Sequence, residues 1–160
     1  MKITINNLQK IAKLNNNAIK KFLSLLRNKT IKKSVFPPIK IDEISLVVTD
    51  NDGIKKINSS YFRKNSITDV ISVYYQPVPG YNYYIGEIIV NAEEALCSRY
   101  SSKTNWSPSK EFALYIAHGF DHICGGEDNT PHKRKVMLSR ELQWLLDQAI
   151  AKHSKQLFLI

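Results

Sequence analysis

Two histidines four residues apart, then a glycine pair, then two carboxylates make up the segment His118-Gly119-Phe120-Asp121-His122-Ile123-Cys124-Gly125-Gly126-Glu127-Asp128. These are residue types and spacings that can hold a metal ion. A helix over residues 109–124 puts both imidazoles on one face, one turn apart. Gly125 and Gly126 then end the helix, because glycine readily takes the left-handed conformation of a C-terminal cap. The chain can double back there and bring Glu127 or Asp128 to the same ion. Two imidazoles and one carboxylate leave a coordination position for water, which is how a catalytic zinc site is built. The chain has only four histidines in 160 residues, so a pair at helical spacing carries weight. The residue after His118 is Gly119, where the His-Glu-x-x-His metallopeptidases carry their general base. That absence argues against peptide hydrolysis.

The elements around this segment read as one α/β or α+β domain covering residues 1–160. Residues 2–6 alternate weakly as a short strand. Asn15-Asn16-Asn17 offers a cap for a helix running to about Arg27, with Ala18, Ile19, Phe22, Leu25 and Leu26 on its apolar arc. Pro37-Pro38 breaks the chain before Ile41, and Ile44 to Val48 is a strand apolar on both faces. The polar turn at residues 49–53 leads into a helix over 54–63. Strands over 70–75 and 84–90 form a hairpin-like pair, and Asn91 caps a helix to about Tyr100. Ser107-Pro108 opens the histidine helix, since proline suits a first turn. In it Phe112, Ile116, Phe120 and Ile123 recur at core spacing, opposite Glu111, Tyr115, His118 and His122. Pro131 opens a last helix to about Lys152, with Val136, Leu138, Leu142, Leu145 and Leu146 as its apolar side. The expected fold is thus a small mixed sheet packed by about five helices.

Composition excludes several classes. A hydrophobic content of 43% is globular rather than disordered, and no apolar run is long enough to span a membrane. The opening residues are too short and polar for a secretory segment. With no export signal, Cys97 and Cys124 are expected as reduced thiols in a cytoplasm, Cys124 acting as a small buried hydrophobe. The net charge of +9 is uneven: residues 1–41 hold ten Lys or Arg and no acid, and the remainder holds 13 basic and 14 acidic side chains. Such asymmetry points to a polyanionic partner, a nucleic acid above all.

The histidine segment resembles the signature of the YbeY family of bacterial rRNA-maturation endoribonucleases, His-Gly-x-Leu-His-Leu-x-Gly-Tyr-Asp-His. Without gaps, His118, Gly119, His122 and Gly125 match. Three further stretches agree in order: Tyr61-Phe62-Arg63, Thr68-Asp69-Val70-Ile71-Ser72 and Ile85-Gly86-Glu87-Ile88. The resemblance covers about residues 43–128. Asp128 stands where the motif has its third histidine, Glu127 where it has aspartate, Asp121 where it has an apolar residue and Gly126 where it has tyrosine. Asp128 holds the spacing of the third ligand, with Glu127 and His132 as rivals. An aspartate oxygen is a legitimate zinc ligand, and its charge makes the metal a weaker Lewis acid.

The resemblance implies one zinc per chain on His118, His122 and Asp128, with Arg63, His118 and His122 as catalytic residues. It implies cleavage of single-stranded RNA, a part in maturing small-subunit ribosomal RNA and in ribosome quality control, and contact with the ribosome or its proteins. Neither DNA nor membrane is expected as a partner. Arg63 would clamp a phosphate through its planar fork. Two other functions stay open: hydrolysis of a different ester or amide, with Glu87 or Glu111 as base, and a non-catalytic ribosome-assembly factor with structural zinc.

Overall fold

A computed structural model describes residues 1–32, 40–77, 79–97 and 106–159. The expected break at Pro37-Pro38, and the last turn of the helix thought to reach Tyr100, lie outside these residues. The elements in chain order are β1 (Lys2–Asn7), α1 (Asn16–Lys32), β2 (Glu43–Thr49), α2 (Asn51–Phe62), β3 (Val70–Tyr75), β4 (Ile85–Asn91), α3 (Ala92–Cys97), α4 (Pro108–Ile123), α5 (Pro131–Leu146) and α6 (Gln148–Ser154). The strands form one mixed sheet in the order β1-β2-β4-β3. β1, β2 and β4 run parallel, and β3 pairs antiparallel to β4 at one edge.

The central strands are apolar on both faces because helices cover both. Ile44, Leu46, Val48, Ile88 and Val90 enter the main core with Ile19, Phe22 and Leu26 of α1 and Phe112, Ile116 and Phe120 of α4. On the other face Ile71 and Ile89 pack with Ile54 of α2, flanked by Val47, Ile57 and Val73. Local signals set the helix starts. Asn15 accepts from the Ala18 N–H, Asp50 from Gly53, Asn91 from Glu93 and Ser107 from Lys110.

The C-terminal helix departs from the expected pattern twice. It is two helices, because Asp147 is extended (φ −61°, ψ 127°), ends α5 and caps α6 by accepting from the Ala149 N–H. Asp147 also pairs with Lys29 of α1. The buried side of α5 is only partly the one its leucines suggest: Leu145 is buried as expected and Leu142 half-buried, but Val136, Leu138 and Leu146 are exposed, and Met137, Glu141 and Trp144 are buried in their place. A buried carboxylate sets that rotation, through the contact with α4 described below.

α4 meets the sheet through glycine. A Cβ on Gly119 would stand 2.9 Å from Cγ2 of Ile88 and 3.0 Å from Cγ2 of Val70, and one on Gly86 would meet Ile123 at 2.9 Å. The position after His118 therefore has no room for the glutamate of a metallopeptidase helix; it is where α4 presses on the sheet. Gly119→Ala should cost about 1–3 kcal/mol of stability, as overpacking of a filled core does. Denaturant unfolding would measure it, and an unchanged midpoint would show that this contact yields freely.

Candidate metal centre

Ser107 and Pro108 start α4 so that His118 and His122 fall in its last two turns, with His122 beside the edge strand β3. The helix ends as the glycine pair suggested. Gly125 is left-handed (φ 96°), its N–H donates to the His122 carbonyl at 2.9 Å, and the Gly126 N–H donates to the Asp121 carbonyl at 2.8 Å. This reversal returns the chain over the helix end and carries Asp128 back to the imidazoles. Among the described residues His118, His122 and Asp128 form a group whose candidate ligand atoms all lie within 4.8 Å of one another.

The ring orientations are determined by their outer nitrogens. His118 Nδ1 lies 2.8 Å from Oε1 of Glu141 and His122 Nδ1 lies 3.0 Å from the Gly126 carbonyl. A carboxylate and a carbonyl only accept, so each Nδ1 carries the proton and each Nε2 of a neutral ring is a bare lone pair. The two Nε2 atoms nevertheless face each other at 3.2 Å. Two lone pairs repel at that distance unless a cation or a shared proton sits between them. Ligand nitrogens about 2.05 Å from a tetrahedral zinc stand about 3.3 Å apart. The Asp128 oxygens lie 4.0 Å and 3.9 Å from the same two nitrogens. The donor set fits a divalent ion, and the C-terminal end of α4 adds the negative end of its dipole.

Burial opposes a charge on His118, but the Glu141 carboxylate outweighs it and raises the imidazole above its usual range. Next to this pair, Asp121 is fully buried and takes both Nε and Nη2 of Arg140 at 2.9 Å. Burial raises the Asp121 carboxyl, with Arg140 opposing. Cys124 is buried as expected, its thiol pushed up to about 12 by burial.

The rival ligands are turned elsewhere. Glu127 pairs with Lys133 at 2.5 Å and is exposed. His132 is exposed and lines cavities on the far side of the turn, with Arg140 and Val136. Of the two alternative bases, Glu111 is buried at the start of α4 and takes the Trp106 indole N–H. Glu87 takes the Tyr75 hydroxyl at 2.9 Å, on the sheet face opposite α4. Neither reaches the imidazoles.

His122 and Asp128 open onto a cleft of about 560 Å³ between the end of α4, the edge strand β3 and the loop after α2, lined also by Phe62, Lys64, Thr68 and Ser72. Arg63 is exposed, caps α2 in a left-handed conformation (φ 56°) and is flanked in sequence by two of those lining residues. Reasoning from sequence missed Glu141, the Gly126 carbonyl and the Asp121–Arg140 pair. The available signal was a charged residue at the helical spacing Met137, Glu141, Trp144, where apolar side chains would otherwise stand.

Helices on both faces of a small mixed sheet, with two imidazoles and a carboxylate at the end of one helix, define a class of α/β protein with a candidate metal centre beside an open cleft. The chain belongs to the family described as endoribonuclease YbeY, whose model matches residues 3–148. It is 34% identical over 102 residues to the endoribonuclease YbeY of Fusobacterium nucleatum, an alignment spanning 61% of this chain and 62% of that protein. It is 32% identical over 112 residues to that of Thermodesulfovibrio yellowstonii, spanning 67% and 69%. The solution structure of a Thermotoga maritima protein shares the fold, with a TM-score of 0.55 at 18% identity over 96% of this chain and 95% of that one.

The geometry leads to a distinct pattern of metal loss. His118→Ala and His122→Ala should each abolish zinc binding, Asp128→Ala should weaken it strongly, and His132→Ala should leave it intact. Elemental analysis of the purified variants decides. Full occupancy without both histidines would remove this site, and dependence on His132 would move the third ligand.

Proposed function

We propose that the chain is a zinc-dependent, single-strand-specific endoribonuclease, working as one YbeY-like domain over residues 1–160. The observation that carries this reading is the grouping of His118, His122 and Asp128 at the wall of an open cleft, in a member of a family described as endoribonucleases. When bound, the ion would polarise a phosphoryl oxygen or supply hydroxide at neutral pH.

The chain's own residues have separable tasks. His118, His122 and Asp128 hold the ion. Phe62, half exposed in the cleft, offers a face on which an unpaired base stacks, and such stacking suits single strands of any sequence. Lys64 lines the cleft and attracts the backbone, and Arg63, its neighbour in sequence, would steady charge on the scissile phosphate through its two-point fork. The basic N-terminal quarter would hold flanking RNA: Lys20 and Lys21 are exposed on α1, while Lys2 and Lys29 are engaged with Glu43 and Asp147.

On this reading the substrate is ribosomal RNA of the small subunit, cut during its maturation and in ribosome quality control, in the cytoplasm and in contact with the ribosome. Among the described residues no helix is long and apolar enough to cross a membrane. The alternative of a structural zinc is less well supported, because structural sites are closed by four protein ligands. The group here has three, each partly exposed.

Arg63→Ala should keep zinc content and fold yet slow cleavage of a single-stranded RNA by about two to three orders of magnitude, with Arg63→Lys restoring part of it. Cleavage at the parental rate would take Arg63 out of the reaction. Activity persisting in metal-free His118→Ala would sink the zinc-nuclease reading itself. Separately, neutralising Lys20, Lys21 and Arg27 should flatten the fall of RNA affinity with salt. An unchanged slope would show that α1 does not touch phosphates.

A further inference from the structure

Glu141 lies on α5, 23 residues from His118, is 1% exposed, and brings Oε1 to 2.8 Å from His118 Nδ1. Its neighbours along the buried side of α5, Met137 and Trp144, are large and apolar, so a leucine would suit position 141 by packing alone. A carboxylate buried there is costly unless it does something a leucine cannot. Its place is fixed from both sides. Arg140, the preceding residue, grips Asp121 of α4 through two bonds of 2.9 Å, so α5 cannot rotate or slide without breaking that fork.

We propose that Glu141 is a positioning residue for the metal centre: it holds His118 with Nδ1–H toward α5 and thereby aims the Nε2 lone pair at the ion. The inference deepens the metal reading above and does not depend on the substrate being RNA. Without the carboxylate the ring is free to place its proton on Nε2, which blocks that nitrogen as a ligand, or to turn away from His122. The charge of Glu141 also makes the ring a more basic ligand, as carboxylates behind metal-bound histidines do. His122 is held in the same sense by the Gly126 carbonyl at 3.0 Å, so the two rings are aimed by different elements, one by α5 and one by the turn after α4.

The test uses the full chain and zinc alone. In E141L, folding being confirmed by circular dichroism, zinc affinity measured against a chromogenic chelator should fall about 10–100-fold. In the metal-free protein at alkaline pH, long-range proton–nitrogen correlation should show His118 as the Nδ1–H tautomer in the parent and as a mixture in E141L. E141Q, whose amide oxygen still accepts, should keep the tautomer and lose less affinity than E141L. E111Q, which alters a buried carboxylate of α4 away from the imidazoles, should bind zinc as the parent does. Parental affinity in E141L, an unchanged His118 tautomer there, or an equal loss in E111Q would each overturn the assignment. Should E141L fail to fold, E141M, closer to glutamate in shape but without an acceptor oxygen, takes its place with the same expected loss, and parental affinity in it would overturn the proposal. None of these readouts includes RNA, so a failure of the nuclease reading leaves them unaffected.

Discussion

The contact between α4 and α5 is built from charge placed out of water. Asp121 and Glu141 are both essentially inaccessible, and each left alone would destabilise the fold by several kcal/mol. Asp121 is met by the Arg140 guanidinium and Glu141 by the His118 ring. Because these partners cross between the same two helices in opposite directions, carboxylate from α4 to arginine and carboxylate from α5 to histidine, the helices are fixed in both rotation and height. On its other side α4 is pressed onto the sheet at Gly119 with no room for a methyl group. The direction in which His118 and His122 point is a consequence of these two constraints.

How much of this was legible in the sequence depends on how local each signal is. The histidine helix was readable to within a residue at each end, because Ser107-Pro108 and the glycine pair act on the few residues beside them. The central strands were readable because burial on both faces leaves a continuous apolar run. The face of α5 was not. Counting apolar residues favours the side with Val136, Leu138, Leu142, Leu145 and Leu146, of which only Leu145 is buried while Val136, Leu138 and Leu146 lie in solvent. The deciding residue is Glu141, which a hydrophobic pattern scores as exposed; only its partner, far away in the chain, makes it a core residue. The third member of the metal group was found through motif spacing, and what turns Glu127 away, its pairing with Lys133, is visible only in three dimensions.

The cleft is a product of sheet topology. Among the described residues β3 is an edge strand, hydrogen-bonded to β4 alone, and it borders the open space that leads to His122 and Asp128. α2 covers the other face of the sheet and ends where that edge begins. The Arg63 cap turns the chain there, in a conformation that few residues other than glycine adopt. The result is that the loop after α2, the edge of the sheet and the end of α4 border one cleft, although the end of α4 follows the other two by some 50 to 60 residues in sequence.

Asp121 and Gly126 differ from the motif at two positions that look independent in sequence, but a Cβ on residue 126 would fall 2.4 Å from Oδ1 of Asp121. The carboxylate and a side chain at position 126 claim the same volume. Arg140 joins them, since its guanidinium holds that carboxylate in place through two bonds of 2.9 Å. The three positions therefore form one physical unit, in which a change at one alters what the others can hold. A side chain at 126 would meet the Asp121 carboxylate and also, at 2.9 Å, the Asp121 backbone carbonyl, so it needs a shift of the turn as well as a different residue at 121.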